Sequence, residues 1–272
     1  MIPGSSGARR DRDTDDRSIR MNRWHTSIAA GSAAAGLCVW GACHPASQLF
    51  GRTLRRTGRL DTLALTFDDG PDAAVTPRLL ELLTRYGAVA TFFLIGDRVH
   101  AHPSVAREIA ARGHAVGNHT ATHRSLMWLS PQRIFSELSR CQEALENAVG
   151  RRAVLMRPPY GFRGPQLRSV LGAAGLSRVV MWSRTARDWD PQPSGHVIER
   201  LRRARGGDIV LLHDGDHRTS HANREHTLQA LEFWLPRWID AGLRCVALGA
   251  NHDEREAVLP PLIRRSEQAH DC

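Results

Sequence analysis

From residue 60 onward, short apolar runs rich in β-branched and aromatic residues alternate with helical patterns, and this alternation restricts the chain to folds built on a parallel sheet. The runs are Thr62 to Phe67, Ala90 to Ile95, Ala115 to Gly117, Val154 to Met156, Arg178 to Trp182, Ile209 to Leu212 and Arg244 to Leu248. Between them lie segments with helix punctuation: Thr76-Pro77 opens one that Gly87 closes, Pro103-Ser104 one that Gly113 closes, and Ser130-Pro131 one that Gly150 closes. Further helical patterns cover roughly 164 to 174, 195 to 205 and 223 to 241. A closed or nearly closed (β/α) barrel of about seven parallel strands is the expected α/β architecture, with a doubly wound open sheet as the alternative.

The polar residues in this frame are placed, not scattered. Asp68 and Asp69 follow the first run, His119 the third, Arg157 ends the fourth, Asp188 comes shortly after the fifth, and His213 ends the sixth. In parallel α/β folds the loops after the strand C-termini converge on one face, so separate segments aim their acids, bases and imidazoles at one mouth.

Charge excludes several chemistries. All 37 basic residues are arginine, against 28 acids, for a net charge of +9. Without lysine there is no Schiff-base or pyridoxal amine and no P-loop ammonium. The arginines form only short clusters, such as Arg55-Arg56, Arg151-Arg152 and Arg202-Arg203, without interleaved aromatics, which argues against a nucleic-acid partner.

The N-terminal part has another character. No charged residue occurs from Trp24 to Gly51, and Ile28 to Ala42 is apolar or small, behind Arg20 and Arg23. The core is short for a spanning helix and suits a signal segment, but Trp40 and His44 stand at the minus-three positions of the available cleavage sites. The expectation is an uncleaved apolar anchor helix, with the rest of the chain outside the cytoplasmic membrane (periplasmic or cell surface), or secreted if the signal is cleaved. The boundaries expected are a basic leader at 1–23, an anchor or transmembrane segment at 24–45, a linker at 46–59, a catalytic domain at 60–250 and a tail at 251–272. Met21 also begins a conventional basic signal start. Cys43 follows Gly41-Ala42 as a lipoprotein cysteine would, but Trp40 stands where such signals want leucine. Cys141 and Cys245 fall in apolar patterns and read as buried thiols.

Three segments bear the chemistry. Thr66-Phe67-Asp68-Asp69-Gly70-Pro71 ends a buried strand with adjacent carboxylates, which can divide between holding a metal and acting as a base. Taken alone, Asp-Gly-Pro is also ordinary turn chemistry. His119-Thr120-Ala121-Thr122-His123 has imidazoles at i and i+4, which a helical turn would place on one face; with Asp69 they form a set of two imidazoles and one carboxylate with open positions. His213/His217 and His217/His221 repeat that spacing and compete with it, though HDGDHRTSHANREH reads as a solvated loop leading into a helix. Arg157-Pro158-Pro159-Tyr160-Gly161 is stiffened by its prolines; its arginine could pair with a catalytic carboxylate and its backbone could present an N–H to an oxyanion, or it is a structural turn with a solvated arginine.

Taken together and in order, TFDDGP, HTATH, RPPYG, RDW and VLLHD resemble the motifs of the polysaccharide deacetylases of carbohydrate esterase family 4, which share the deacetylase domain of the rhizobial nodulation-factor enzymes. The resemblance covers about residues 60 to 250. It implies a distorted (β/α) barrel of seven or eight strands and one divalent metal ion, zinc first, with cobalt, nickel or manganese also fitting such a donor set. It implies Asp68 as general base, Asp69, His119 and His123 as metal ligands, Arg157 as the group orienting the base, and Tyr160 as a backbone donor to the oxyanion. It further implies Asp188 as the carboxylate tuning the general acid His213, Trp189 as the wall of an acetyl pocket, and Val210 and Leu212 as apolar lining. Thr185 stands where the fourth motif commonly carries a first aspartate, which points to altered loop geometry or substrate preference more than altered chemistry.

The implied reaction is hydrolysis of an N-acetyl amide in an N-acetylated glycan, releasing acetate. The alternatives are a deacetylase-fold hydrolase of a small non-sugar amide, and a catalytically dead glycan-binding protein. The second should have lost at least one of Asp68, Asp69, His119, His123 or His213, and all five are present.

Overall fold

The structure, a computed structural model, describes residues 31–249. The leader, the first part of the expected anchor and the whole of the expected tail lie outside the described residues. Residues 31–43 are helical (α1). Among the described residues no helix is long and apolar enough to cross a membrane.

The elements that follow are β1 (Thr53–Leu54), β2 (Thr62–Asp68), α2 (Val75–Arg85), β3 (Thr91–Leu94), α3 (Gly96–Ala101), α4 (Pro103–Ala111), β4 (Ala115–Asn118) and α5 (Pro131–Val149). After these come β5 (Leu155–Met156), α6 (Pro165–Leu171), β6 (Arg178–Val180), β7 (Arg184–Thr185), α7 (Ser194–Leu201), β8 (Ile209–His213), α8 (Glu225–Asp240) and β9 (Arg244–Cys245). Every ladder is parallel, in the order β1-β6-β5-β4-β3-β2-β8-β7, with β9 also on β2. The sheet curls into an incompletely closed (β/α) barrel, because no ladder among the described residues joins its two end strands, β1 and β7.

Helix punctuation worked as physics dictates. Ser130 caps α5 by accepting from the Arg133 N–H, Pro131 occupies its first turn, and Gly150 ends it in the left-handed region at φ 73°. The expected strands all appear, several shorter than their apolar runs. β1, β7 and α3 were not expected: the two strands are two residues each and α3 is six, too short to show a period. Residues 46–59, expected as a linker, are instead part of the fold. Leu54 pairs with Val180, Thr57 N–H donates to Gly207 O, and buried Arg163 donates to the carbonyls of His44 and Ser47.

Strand alternation sets up two apolar layers. Leu63, Leu65, Phe67, Val210 and Leu212 belong to the larger core, packed with Leu79, Leu83, Leu138, Leu231 and other helix residues. Ala64, Phe93, Leu155, Val180, Ile209, Val246 and Leu248 form a smaller cluster. Since side chains alternate along a strand, Thr66 and Asp68 on β2, and Leu211 and His213 on β8, share the face of Ala64 and Ile209. β2 and β8 pair with Asp68 opposite His213, so two polar residues end side by side at the strand C-termini. Cys141 and Cys245 are buried, and burial pushes both thiols up to about 12.

Two loops close tightly over this end at glycines. A Cβ on Gly215 would lie 2.3 Å from the Asp69 carbonyl oxygen, and one on Gly70 would lie 2.3 Å from an Asp214 carboxylate oxygen. Gly215→Ala is therefore expected to destabilise the protein by about 1–3 kcal/mol, because backbone cannot swing aside as a flexible side chain can. Gly195→Ala, in α7 with nothing within 4 Å of its added Cβ, should be neutral or stabilising by up to about 1 kcal/mol. Chemical denaturation of the two variants checks the contrast; equal midpoints would contradict the close approach.

Candidate active site

The site is assembled at one end of the barrel from five loops, around a cleft of about 430 Å³ lined by Asp68, Asp69, His119, His123, Tyr160, Trp182, Trp189, Leu211, His213 and His217, among others. A volume of this size accommodates a small ligand or one end of a larger one.

Arg157 is fully buried where β5 ends. One terminal nitrogen donates to Asp68 Oδ1 at 2.7 Å and Thr66 Oγ1 at 2.8 Å. Its other nitrogens reach the Val180 and Met181 carbonyls, and its Cζ lies 4.4 Å from the Phe93 ring centroid. Burial works against the guanidinium charge and the Asp68 carboxylate supports it. The arrangement leaves Asp68 Oδ2 facing His119 Nε2 at 3.8 Å.

Asp69 adopts φ 72°, in the left-handed region, which turns its carboxylate away from the strand direction. Burial would raise this carboxyl, but the His119, His123 and His217 imidazoles around it hold it well below the usual carboxylate range. His119 and His123 approach Asp69 Oδ1 through their Nε2 atoms, at 3.4 and 3.1 Å. They do so from an irregular loop, not from the helical turn expected from their i, i+4 spacing. Thr120 and His123 both have positive φ, and the loop is tied by Thr120 N–H to Asn118 Oδ1, His123 N–H to Thr120 Oγ1, and Thr122 to Glu137.

Asp69, His119 and His123 bring one ligand atom each within 4.8 Å of one another, and they are the one such group among the described residues. Three further observations fit a divalent cation. Asp69 Oδ1 is buried without any hydrogen-bond donor. His119 Nδ1 lies 2.7 Å from the Arg157 carbonyl, which fixes its proton there and leaves Nε2 with a lone pair. Burial lowers the His123 pKa, against the support of Asp69, so that ring is neutral as a ligand must be. Two imidazoles and a carboxylate form a borderline-soft set suited to zinc, cobalt, nickel or manganese.

His213 meets a different environment. Its Nδ1 donates to Asp188 Oδ1 at 2.8 Å, while Asp188 Oδ2 accepts from the His213 N–H and from Thr227 Oγ1. Burial alone would depress this imidazole; Asp188, with Asp69 and Asp68 adding to it, pushes it up to about 9. Burial likewise opposes the Asp188 charge, and His213, Thr227 and Arg224 hold it below the usual carboxylate range.

Tyr160 is held at φ 59°, ψ 2°, half-exposed at the rim. Trp189 meets His213 edge to face at 6.2 Å. Val210 and Leu212 are fully buried in the helix-side core; the apolar β8 residue that lines the cleft is Leu211. Thr185, the departure in the fourth motif, accepts from the Arg187 N–H. His221 is exposed, whereas His217 enters the cleft beside Asp69. Sequence reasoning passed over Trp182, Leu211 and Arg224, and it left His217 in a solvated loop. The signal for His217 was its i, i+4 spacing from His213 and His221.

Residues 55–179 match the family described as polysaccharide deacetylase. A chitooligosaccharide deacetylase of Azorhizobium caulinodans is 38% identical over 197 residues, which span 70% of this chain and 93% of that protein. A peptidoglycan-N-acetylglucosamine deacetylase of Bacillus cereus is 36% identical over 188 residues, spanning 68% and 85%. Among solved structures, the family 4 carbohydrate esterase from Streptomyces lividans in complex with acetate aligns at a TM-score of 0.63 and 32% identity, over 70% of this chain and 93% of that one.

Because the folded-state pKa of His213 is raised, the pair's contribution to stability is complete below the ordinary imidazole value of about 6.5. It is lost as pH rises through about 9. NMR titration of the metal-free protein should find the His213 ring changing charge near 9. In Asp188→Asn, where burial is left to dominate, the transition should fall to the ordinary value or below it. An unmoved transition would remove Asp188 as the cause.

Proposed function

Because this chain belongs to the polysaccharide deacetylase family, we propose that it hydrolyses the N-acetyl amide of N-acetylglucosamine units in a chito-oligosaccharide or peptidoglycan, releasing acetate. The observation that carries this reading is that one cleft exposes an arginine-paired carboxylate, a His–His–Asp donor set and a buried imidazolium.

An amide resists hydrolysis because its carbonyl is a poor electrophile and its amine a poor leaving group. Asp69, His119 and His123 would hold a divalent cation, which when bound supplies Lewis-acid polarisation of the acetyl carbonyl and activation of a water nucleophile. Asp68 takes the proton of the attacking water. Arg157 aims that carboxylate, since its Oδ1 is held and its Oδ2 is left for the proton. The Tyr160 backbone N–H is the protein donor to the carbonyl oxygen as it gains charge. His213, the one imidazole in the cleft pushed up to about 9, gives its proton to the departing sugar nitrogen, and Asp188 holds the ring for that transfer. Trp182, Trp189 and Leu211 offer the apolar wall against which an acetyl methyl can pack.

Acetate release should be measured with N-acetylated chito-oligosaccharides, peptidoglycan fragments and a small non-sugar acetamide, together with metal analysis of the protein as purified. Release from the glycans and not from the acetamide is the expected result; the reverse pattern would overturn the glycan reading. Asp68→Asn should lower kcat by about a hundred- to ten-thousandfold with metal content unchanged, and retained turnover would remove Asp68 as base. His119→Ala should lose the metal, and unchanged metal content would move the site elsewhere.

A further inference from the structure

We infer that His217 is a positioning residue for the Asp69 carboxylate, held in turn by the Tyr160 hydroxyl; this rests on the metal-site reading above and concerns a residue outside its three ligands. Asp69 has two oxygens with different surroundings. Oδ1 faces His119 and His123 and has no hydrogen-bond donor. Oδ2 lies 3.4 Å from His217 Nδ1.

An ionised carboxylate only accepts, so His217 Nδ1 must carry the proton. In a neutral ring that makes Nε2 an acceptor, and the Tyr160 hydroxyl lies 3.2 Å from it. One tautomer therefore satisfies both contacts, giving a directed chain from the Tyr160 O–H through His217 to Asp69 Oδ2. The same ring stacks on His123 with centroids 4.0 Å apart and planes 22° apart, while Tyr160 meets His123 edge to face at 4.7 Å. Two of the three ligand side chains are thus oriented by His217, one through its hydrogen bond and one through its face.

The loop that presents His217 is rigidly built. Arg224 is buried and grips the Gly215 carbonyl through two nitrogens while a third reaches Trp189 O. Arg98 on α3 donates to the Asp216 and Thr219 carbonyls. Arg218 bonds Asp216 and Asp190, and Asp216 bridges back to Thr219. Gly215 lets this loop pack directly on the Asp69 backbone. A carboxylate whose non-ligating oxygen is held keeps its ligating lone pair in place, which is why hydrogen-bond partners of metal ligands affect affinity.

The test is zinc affinity, by chelator competition on the full chain, of the wild type, His217→Ala, His217→Asn and Tyr160→Phe. His217→Ala should weaken zinc binding by about ten- to a hundredfold. Most of that loss should return in His217→Asn, whose amide N–H can occupy the place of Nδ1–H. Tyr160→Phe, which removes one oxygen and keeps the fold, should show a smaller loss in the same direction. With saturating cobalt, the visible absorption bands of His217→Ala should match those of the wild type, since the ligand set is unchanged. Wild-type affinity in His217→Ala would overturn the inference while leaving the metal site standing. An altered cobalt spectrum that His217→Asn fails to restore would overturn it too, by making His217 a direct ligand. A wild-type chain that binds no zinc would sink the metal-site reading itself, and this inference with it.

Discussion

The buried guanidinium of Arg157 is the constraint on which the rest of the site depends. An unpaired charge in a protein interior is prohibitively costly, so the fold must surround it with acceptors, and these come from separate strands. Thr66 and Asp68 on β2 accept from it, as do the Val180 and Met181 carbonyls, and the Phe93 ring of β3 covers its face. The same residue's backbone carbonyl fixes the tautomer of His119, and its N–H extends the pairing of β4 with β5. One residue therefore determines which oxygen of Asp68 is free and which nitrogen of His119 is basic. Such a pair adds little net stability compared with apolar packing, but it is expensive to break, and what it secures is geometry. Lysine could not replace it, because a compact ammonium cannot reach acceptors spread in a plane.

The arginine-only composition takes on a structural meaning at the rim as well. Arg98, Arg218 and Arg224 brace the loop after β8, each through more than one acceptor, and Gly215 lets that loop and the Asp69 turn touch backbone to backbone. The loops carrying the chemistry are irregular, yet several of their carbonyls are held by donors, among them those of Gly70, Thr120, Arg157, Asp188 and Gly215. Such preorganisation lets a site act on a developing charge without first rearranging.

The barrel was legible because its strands carry periodic apolar patterns and its helices carry caps; β1, β7 and α3 were not, since two to six residues cannot display a period. The motif residues were legible as a set because all of them sit where strands end. What the sequence could not convey was how each loop turns. The i, i+4 spacing of His119 and His123 suggests a helical face, but positive φ at Thr120 and His123 brings the rings together by another route. Val210 and Leu212 illustrate a period that was present and not applied: if His213 faces the cleft, alternation makes Leu211 its neighbour and turns Val210 and Leu212 to the helices. Likewise, His217 looked like a residue of a solvated loop because the buried Arg224 that folds the loop inward has no local signature.

Histidines of the same cleft end in opposite charge states, and the cause is how carboxylates are shared. Asp69 is one carboxylate divided among His119, His123 and His217; its support is diluted, burial wins at His123, and that ring stays neutral. Asp188 serves His213 alone, and its second oxygen is occupied by the Thr227 hydroxyl and a backbone N–H, so its whole charge is committed to one ring. Burial opposes this ring's charge as well, but the undivided Asp188 carboxylate, with Asp69 and Asp68 adding to it, outweighs that cost, and His213 is pushed up to about 9. A metal ligand must be neutral and a proton donor must be charged, and here the same side chain serves either need according to how many imidazoles share its carboxylate.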